Sequence, residues 1–170
     1  MWYSKLEFFD KQPGLLDEVA PDFFSKPLTE EEINLYPGIG ELHPQFIRNK
    51  NLFIPPEFTL LEEHHQLLTY SDGGGITNGE REFGYFSLQG IREYYFGYGF
   101  PEWAPYFLPI AFNGGGKFYA YDFRDAARVP VVAVGASALG YEDAVVLGQS
   151  LAEVLSKTTN IEDELDALYT

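Results

Sequence analysis

The residues of this 170-residue chain that could carry chemistry are two glycine triplets, a serine in a small-residue loop, adjacent histidines and 26 carboxylates. Gly73-Gly74-Gly75 and Gly114-Gly115-Gly116 suggest phosphate binding, because a backbone without Cβ atoms can approach an anion closely. A P-loop needs Gly, four residues, then Gly-Lys-Ser/Thr. Here Gly116-Lys117 is followed by Phe118, and the position five before Gly116 is Ala111, so the pattern fails twice. The dinucleotide fingerprint fails also, since it follows a strand and Gly73 to Asn78 follows a run with helical spacing. Both triplets are expected to be turns that exploit positive φ.

Gly135-Ala136-Ser137-Ala138-Leu139-Gly140 is one residue too long for a nucleophile elbow, and every histidine precedes the serine, against the order of α/β-hydrolases. It reads as a small-residue loop. His64 and His65 point about 100° apart on a helix, so they cannot share an ion as residues four apart can. With Glu62 and Glu63 before them they read as a solvated helix face. Asp122 and Asp125 could pair for glycoside hydrolysis, but among so many acids a pair has no weight. The absence of Cys removes thiolate nucleophiles, Fe–S clusters and cysteine zinc sites. The sequence therefore assigns no catalytic residue, no metal and no cofactor.

The charge balance is more informative. Eleven Lys and Arg against 26 Asp and Glu give −15, on a chain that is 45% hydrophobic. That composition folds as one domain without disulfides. Such a field repels phosphate backbones and anionic lipid, which argues against direct nucleic-acid or membrane binding, and it speeds the approach of a basic protein partner. The N-terminus lacks a basic segment followed by an apolar one, and no run approaches 18 apolar residues, so a cytoplasmic location is expected.

The elements that must position any site follow from periodicity. Residues 1–28 mix aromatics with Pro13-Gly14, Pro21 and Pro27 and read as an irregular arm. Thr29 and Glu32 form a capping box for a short helix that stops by Pro37-Gly38, and a loop runs on to Asn51. Pro55-Pro56 then precedes a helix in which Phe58, Leu61 and Leu68 share a face with Leu60 and Leu67 beside them, ending at Ser71. Phe83 to Leu88 reads as a strand and Ile91 to Tyr95 as a brief helix, before Gly97, Gly99 and Pro101 force a loop. Phe107 to Phe112 and Lys117 to Phe123, joined by Asn113 and the second triplet, form a β-hairpin, with Pro109 marking an edge or a bulge. Val129 to Val134 is a further strand. From Tyr141 the spacing of Ala144, Leu147, Leu151, Val154 and Leu155 predicts a helix, and residues 158–170 form an acidic tail or a last short helix over Ile161 to Leu168.

Tyr94, Tyr95, Phe96, Tyr98, Phe100, Trp103, Tyr106 and Phe107 crowd a Gly/Pro-interrupted segment. Tyr and Trp are frequent anchors at protein interfaces, so some of them are expected to face outward.

Leu108-Pro109-Ile110-Ala111-Phe112-Asn113-Gly114-Gly115-Gly116-Lys117-Phe118-Tyr119-Ala120-Tyr121-Asp122-Phe123-Arg124 resembles the central motif of the SUKH superfamily, which includes fungal Smi/Knr cell-wall regulators and bacterial immunity proteins. Ile54 to Phe58, Leu67-Leu68 and Ser71 to Gly75 are similar to its opening helix and glycine turn, with Asp72 where many members carry Asn. Trp103 stands ahead of the motif, and Gly148 to Leu155 resembles the closing helix. The resemblance spans about residues 29–157. It implies a single α+β domain with a mainly antiparallel sheet flanked by helices, and no enzymatic activity. In bacterial members it implies neutralisation of a cognate toxin, often a nuclease, by direct binding; in the fungal type it implies a regulatory scaffold or peptide-binding protein. Together with the aromatic crowding it directs attention to a partner-binding set of Asp72, Tyr94, Tyr95, Tyr98, Trp103 and Asp122.

Overall fold

The computed structural model describes residues 1–35 and 51–169. In chain order the elements are β1 (Glu7–Phe9), a 3₁₀ turn (Phe23–Ser25), α1 (Glu30–Leu35), α2 (Glu62–Tyr70), β2 (Gly74–Asn78) and β3 (Arg81–Tyr85). There follow α3 (Leu88–Gly97), α4 (Phe100–Trp103), β4 (Phe107–Phe112), β5 (Lys117–Asp122), β6 (Val131–Gly135), β7 (Val145–Gly148), α5 (Leu151–Ser156) and α6 (Ile161–Tyr169). The strands form one sheet in the order β1 to β7, and each is antiparallel to the next. This is the expected α+β architecture. None of the described helices is long and apolar enough to cross a membrane.

Both faces of the sheet are covered, and β5 shows how. Phe118 packs edge-on against Tyr94 and Tyr98 of α3 and Phe100 of α4. Tyr121, three residues on and so on the opposite face, meets His64 of α2 and donates its hydroxyl to Glu63 at 2.8 Å. The central hairpin forms as read, from Phe107↔Asp122 to Phe112↔Phe118. Pro109 lies inside the sheet at a register shift between Pro109 and Ala111, so the bulge and not the edge accommodates its missing donor.

Four local expectations are corrected. The helix expected from Pro55-Pro56 begins only at Glu62, because Phe58 is drawn into the core against Tyr95 and Phe123. Gly74 to Asn78, beginning inside the glycine triplet, is a strand, since Ile76 buries opposite Phe83. The loop expected near Pro101 contains α4: Gly99 enters at φ 80°, and proline fits a first helical turn that needs no donor. The helix expected from Tyr141 is instead β7, then a turn, then α5. Val145 and Val146 pair with β6, and the helical start is at Ser150, whose Oγ accepts from the Glu153 amide. The last short helix does form, over Ile161–Tyr169.

The N-terminal residues read as an irregular arm supply the edge strand of the sheet, through Glu7↔Thr77 to Phe9↔Gly75. They then run along the end of α2, where Leu15 N–H donates to the Leu68 carbonyl and Asp72 N–H to that of Pro13. A Cβ on Gly14 would collide with the Thr69 carbonyl, so only glycine permits this approach. Three residues are too few to show alternation, which is why the strand is silent in the sequence.

Two buried arginines tie the chain ends down. Arg92 of α3, 4% exposed, uses all five donors: to both Glu32 oxygens at 2.8 Å and to the carbonyls of Phe23, Lys26 and Pro27 at 2.6, 2.9 and 3.0 Å. Burial would raise the Glu32 pKa, but the bonds from Arg92, Gln89 and Thr29 outweigh it and hold it at about 2. Its stabilising charge is thus complete above about pH 4.5 and is lost as the pH falls towards 2. On β3, Arg81 donates to the carbonyls of Val154 and Thr159 and pairs with Glu164 of α6. Replacing Arg92 by Ala strands a carboxylate and three carbonyls, and is expected to lower the unfolding free energy by about 3–5 kcal/mol in urea titrations; a loss under about 1 kcal/mol would contradict the clamp.

Candidate functional site

The structure divides the six residues singled out for partner binding. Tyr95 is 1% exposed, with its ring between Phe58 and Phe100 and its hydroxyl on the Pro105 carbonyl at 2.8 Å. It is a core residue and leaves the set. Phe96, Phe100 and Phe107 of the same crowded segment are also buried. Asp122 is buried and paired with Arg124 at 2.8 Å, so its carboxylate is already engaged. Asp72 accepts the Leu88 amide at 2.7 Å and so holds the first turn of α3, a positioning role. Asp122 is thus withdrawn from the surface, whereas Asp72 is half-buried with one oxygen engaged.

Tyr94, Tyr98 and Trp103 differ. Phe86, Tyr94 and Tyr98 form a stacked row, with ring centres 4.1 Å apart at the first step and 5.7 Å at the second. The row fixes Tyr98, which terminates α3. Next to it a groove of about 470 Å³ is lined by Tyr98, Trp103 and Ala136 to Leu139. Trp103 is 56% exposed. A large indole left in water beside a fixed phenol and a wall of small side chains can take up another apolar surface, with polar edges at both rings. The loop that follows β6 supplies Ala136 to Leu139, and the short helix α4 ends at Trp103.

The serine loop is therefore one wall of the groove. Ser137 is exposed, and the described lining of the groove contains no His, Asp or Glu to serve it as a base. Asp125, the other acid considered beside Asp122, accepts the Ala127 amide within its own turn. Among the described residues no cluster of His, Asp and Glu could hold a metal ion.

His64 and Glu63 overturn the solvated-face reading. Glu63, His64, Leu67 and Leu68 recur at helical spacing on the inward stripe of α2, a signal present in the sequence but masked by the polar residue types. Glu63 accepts from Tyr121 at 2.8 Å and from the Leu151 and Ala152 amides at 2.7 and 3.1 Å, joining α2, β5 and the start of α5. His64 is 1% exposed with no partner for Nε2 among the described residues, while Glu62 and His65 are exposed. Burial, with the neighbouring His65 charge, pulls the His64 pKa from 6.5 to about 3.

The model of the SMI1 / KNR4 family (SUKH-1) matches residues 57–157. The match runs from just before α2 to just past α5 and takes in β2 to β7; residues 29–56, which the resemblance had included, lie outside it. No curated protein matches the chain.

Two stability measurements separate surface from core. Trp103→Ala should change the unfolding free energy by under about 0.5 kcal/mol, and Tyr95→Ala should cost about 3–5 kcal/mol; equal losses would place Trp103 in the core. For His64, the unfolded chain gains a proton below about pH 6.5 that the folded chain refuses until about pH 3, so stability falls with pH through that window. His64→Leu should accordingly gain on the parent on going from about pH 7 to about pH 5, by up to about 1.4 kcal/mol per pH unit. A difference independent of pH would refute a buried neutral imidazole.

Proposed function

The chain belongs to the SMI1 / KNR4 family (SUKH-1), and from that premise we propose that it is a non-enzymatic binding module, an immunity protein that neutralises a basic toxin domain by covering it. The observation that carries this reading is the half-exposed Trp103 at the mouth of an aromatic-walled groove, on a protein of net charge −15. Charge distribution supports it. Six basic side chains, Lys26, Arg81, Arg92, Lys117, Arg124 and Lys157, are already paired with carboxylates of the chain itself. The acid surplus is left to the surface, where it attracts a basic partner and mimics the phosphates a nuclease expects. A stable complex would bury about 1,600 Å² in total, with Trp103 and Tyr98 as central anchors and carboxylates at the rim.

A regulatory scaffold of the kind for which the family is named is the second reading, favoured by the same lack of an assembled catalytic set around Ser137. Affinity capture from the native cell, followed by co-expression of the captured protein with this chain, separates the two. The first reading expects one stoichiometric basic polypeptide whose toxicity is suppressed by the parent chain and restored by Trp103→Ala. Capture of a non-toxic regulatory partner would replace it with the second, and turnover of a metabolite by the purified chain would overturn both.

A further inference from the structure

The sheet is open in its middle. β3 pairs with β2 along its whole length, from Asn78↔Arg81 to Gly74↔Tyr85. On its other side it meets β4 at one register pair, Tyr85↔Ala111. The Phe86 N–H donates to the Ile110 carbonyl at 2.8 Å. Because alternate residues of an antiparallel strand direct both peptide groups to the same side, Gly84 and Glu82 aim theirs towards β4 as well. A cleft of about 370 Å³ lies on that side, and Phe9, Glu82, Gly84, Phe112, Tyr119 and Glu162 contribute to its lining.

Its chemistry suits a cation carried on an extended backbone. Phe9 and Phe112 contribute aromatic rings to the lining, and an aromatic ring attracts a guanidinium or ammonium. Glu82 is exposed, and its carboxylate has no partner among the described residues. Glu162 accepts from Asn113 at 2.6 Å and Lys117 at 3.1 Å. Burial would raise its pKa, but those bonds prevail and hold it low, so it remains ionised. A Cβ built on Gly84 would meet nothing within 4 Å, so the face of the strand beside the cleft is uncovered there. No lysine or proline guards residues 82–84 in the manner of a protected edge. A second copy of the chain, itself at −15, would be repelled from this acidic slot.

We propose that the cleft takes an extended basic segment of a partner polypeptide, which adds as a short strand to the open side of β3 and sets an Arg or Lys side chain between Glu82 and the rings of Phe9 and Phe112. Main-chain bonds supply affinity in such strand addition, and the pocket for one side chain supplies selectivity. The site shares no lining residue with the Trp103 groove and stands independently of the reading above.

Fluorescence anisotropy of the full chain with a short labelled peptide of alternating Arg and Val tests the proposal. Saturable binding is expected, weakened about tenfold or more by Glu82→Lys and by Gly84→Pro. Glu57→Lys makes the same change in net charge at another exposed position and should leave binding unaltered, as should Trp103→Ala. Acetyl-arginine amide, which offers the cation without the strand, should bind far more weakly. Absence of saturable binding, equal weakening by Glu57→Lys and Glu82→Lys, or equal affinity for acetyl-arginine amide would each overturn the proposal. Circular dichroism of every variant, with Glu82→Gln as the milder substitution, keeps the test valid if Gly84→Pro does not fold.

Discussion

A strongly acidic chain has few cations to place, and two of the four described arginines lie in the interior. Arg92 gathers the 3₁₀ turn and α1 onto α3, and Arg81 gathers the segment after α5 and the start of α6 onto β3. The planar guanidinium suits this work, because its five donors satisfy several carbonyls at once while a carboxylate balances the charge. Each end also buries apolar side chains, Phe24 and Leu28 at one and Ile161 and Leu165 at the other, so the guanidinium groups add directional anchors to apolar packing. The buried ion pairs thus define where the ends lie, and the rest of the surface is arranged around them.

Between those clamps the antiparallel sheet sets the positions of both candidate surfaces. On one face of β5 the ring of Phe118 supports the stacked row that ends at Tyr98, and α4 carries Trp103 out beside it. On the other face Tyr121 and Glu63 lock α2 to α5 through a part-buried carboxylate that accepts three hydrogen bonds. The loop leaving β6 supplies small residues that leave room for a groove. Where β3 and β4 separate, the same sheet leaves a slot with carboxylates at its mouth. Aromatic burial, accordingly, explains why so few of the many rings remain exposed, and why Trp103 is informative.

Much of the fold was legible in residues whose local signal agrees with their final environment. The hairpin around Asn113 to Gly116 declared itself because two apolar runs flank residues that tolerate positive φ, and Thr29 with Glu32 marked a helix start that forms with both reciprocal bonds. The failures share a cause, in that tertiary contacts overrode local pattern. Ala144 and Leu147 fall at helical spacing with Leu151, yet pairing with β6 makes Val145 to Gly148 a strand. Phe58 looked helical and was drawn into the core. For the candidate site, residue type identified Tyr98 and Trp103, but type alone could not distinguish them from Tyr95, which turns into the core from α3. Glu63 went unnoticed because nothing local shows that a carboxylate will meet the amides of a helix far along the chain.

The proposed function is recognition by shape and opposite charge, without bond-making. Its most direct test is the ionic-strength dependence of association with the captured partner, followed by stopped-flow or surface plasmon resonance. The association rate should fall steeply as salt rises while the dissociation rate changes little. An association rate indifferent to salt would contradict the claim that the acid surface brings the partner in.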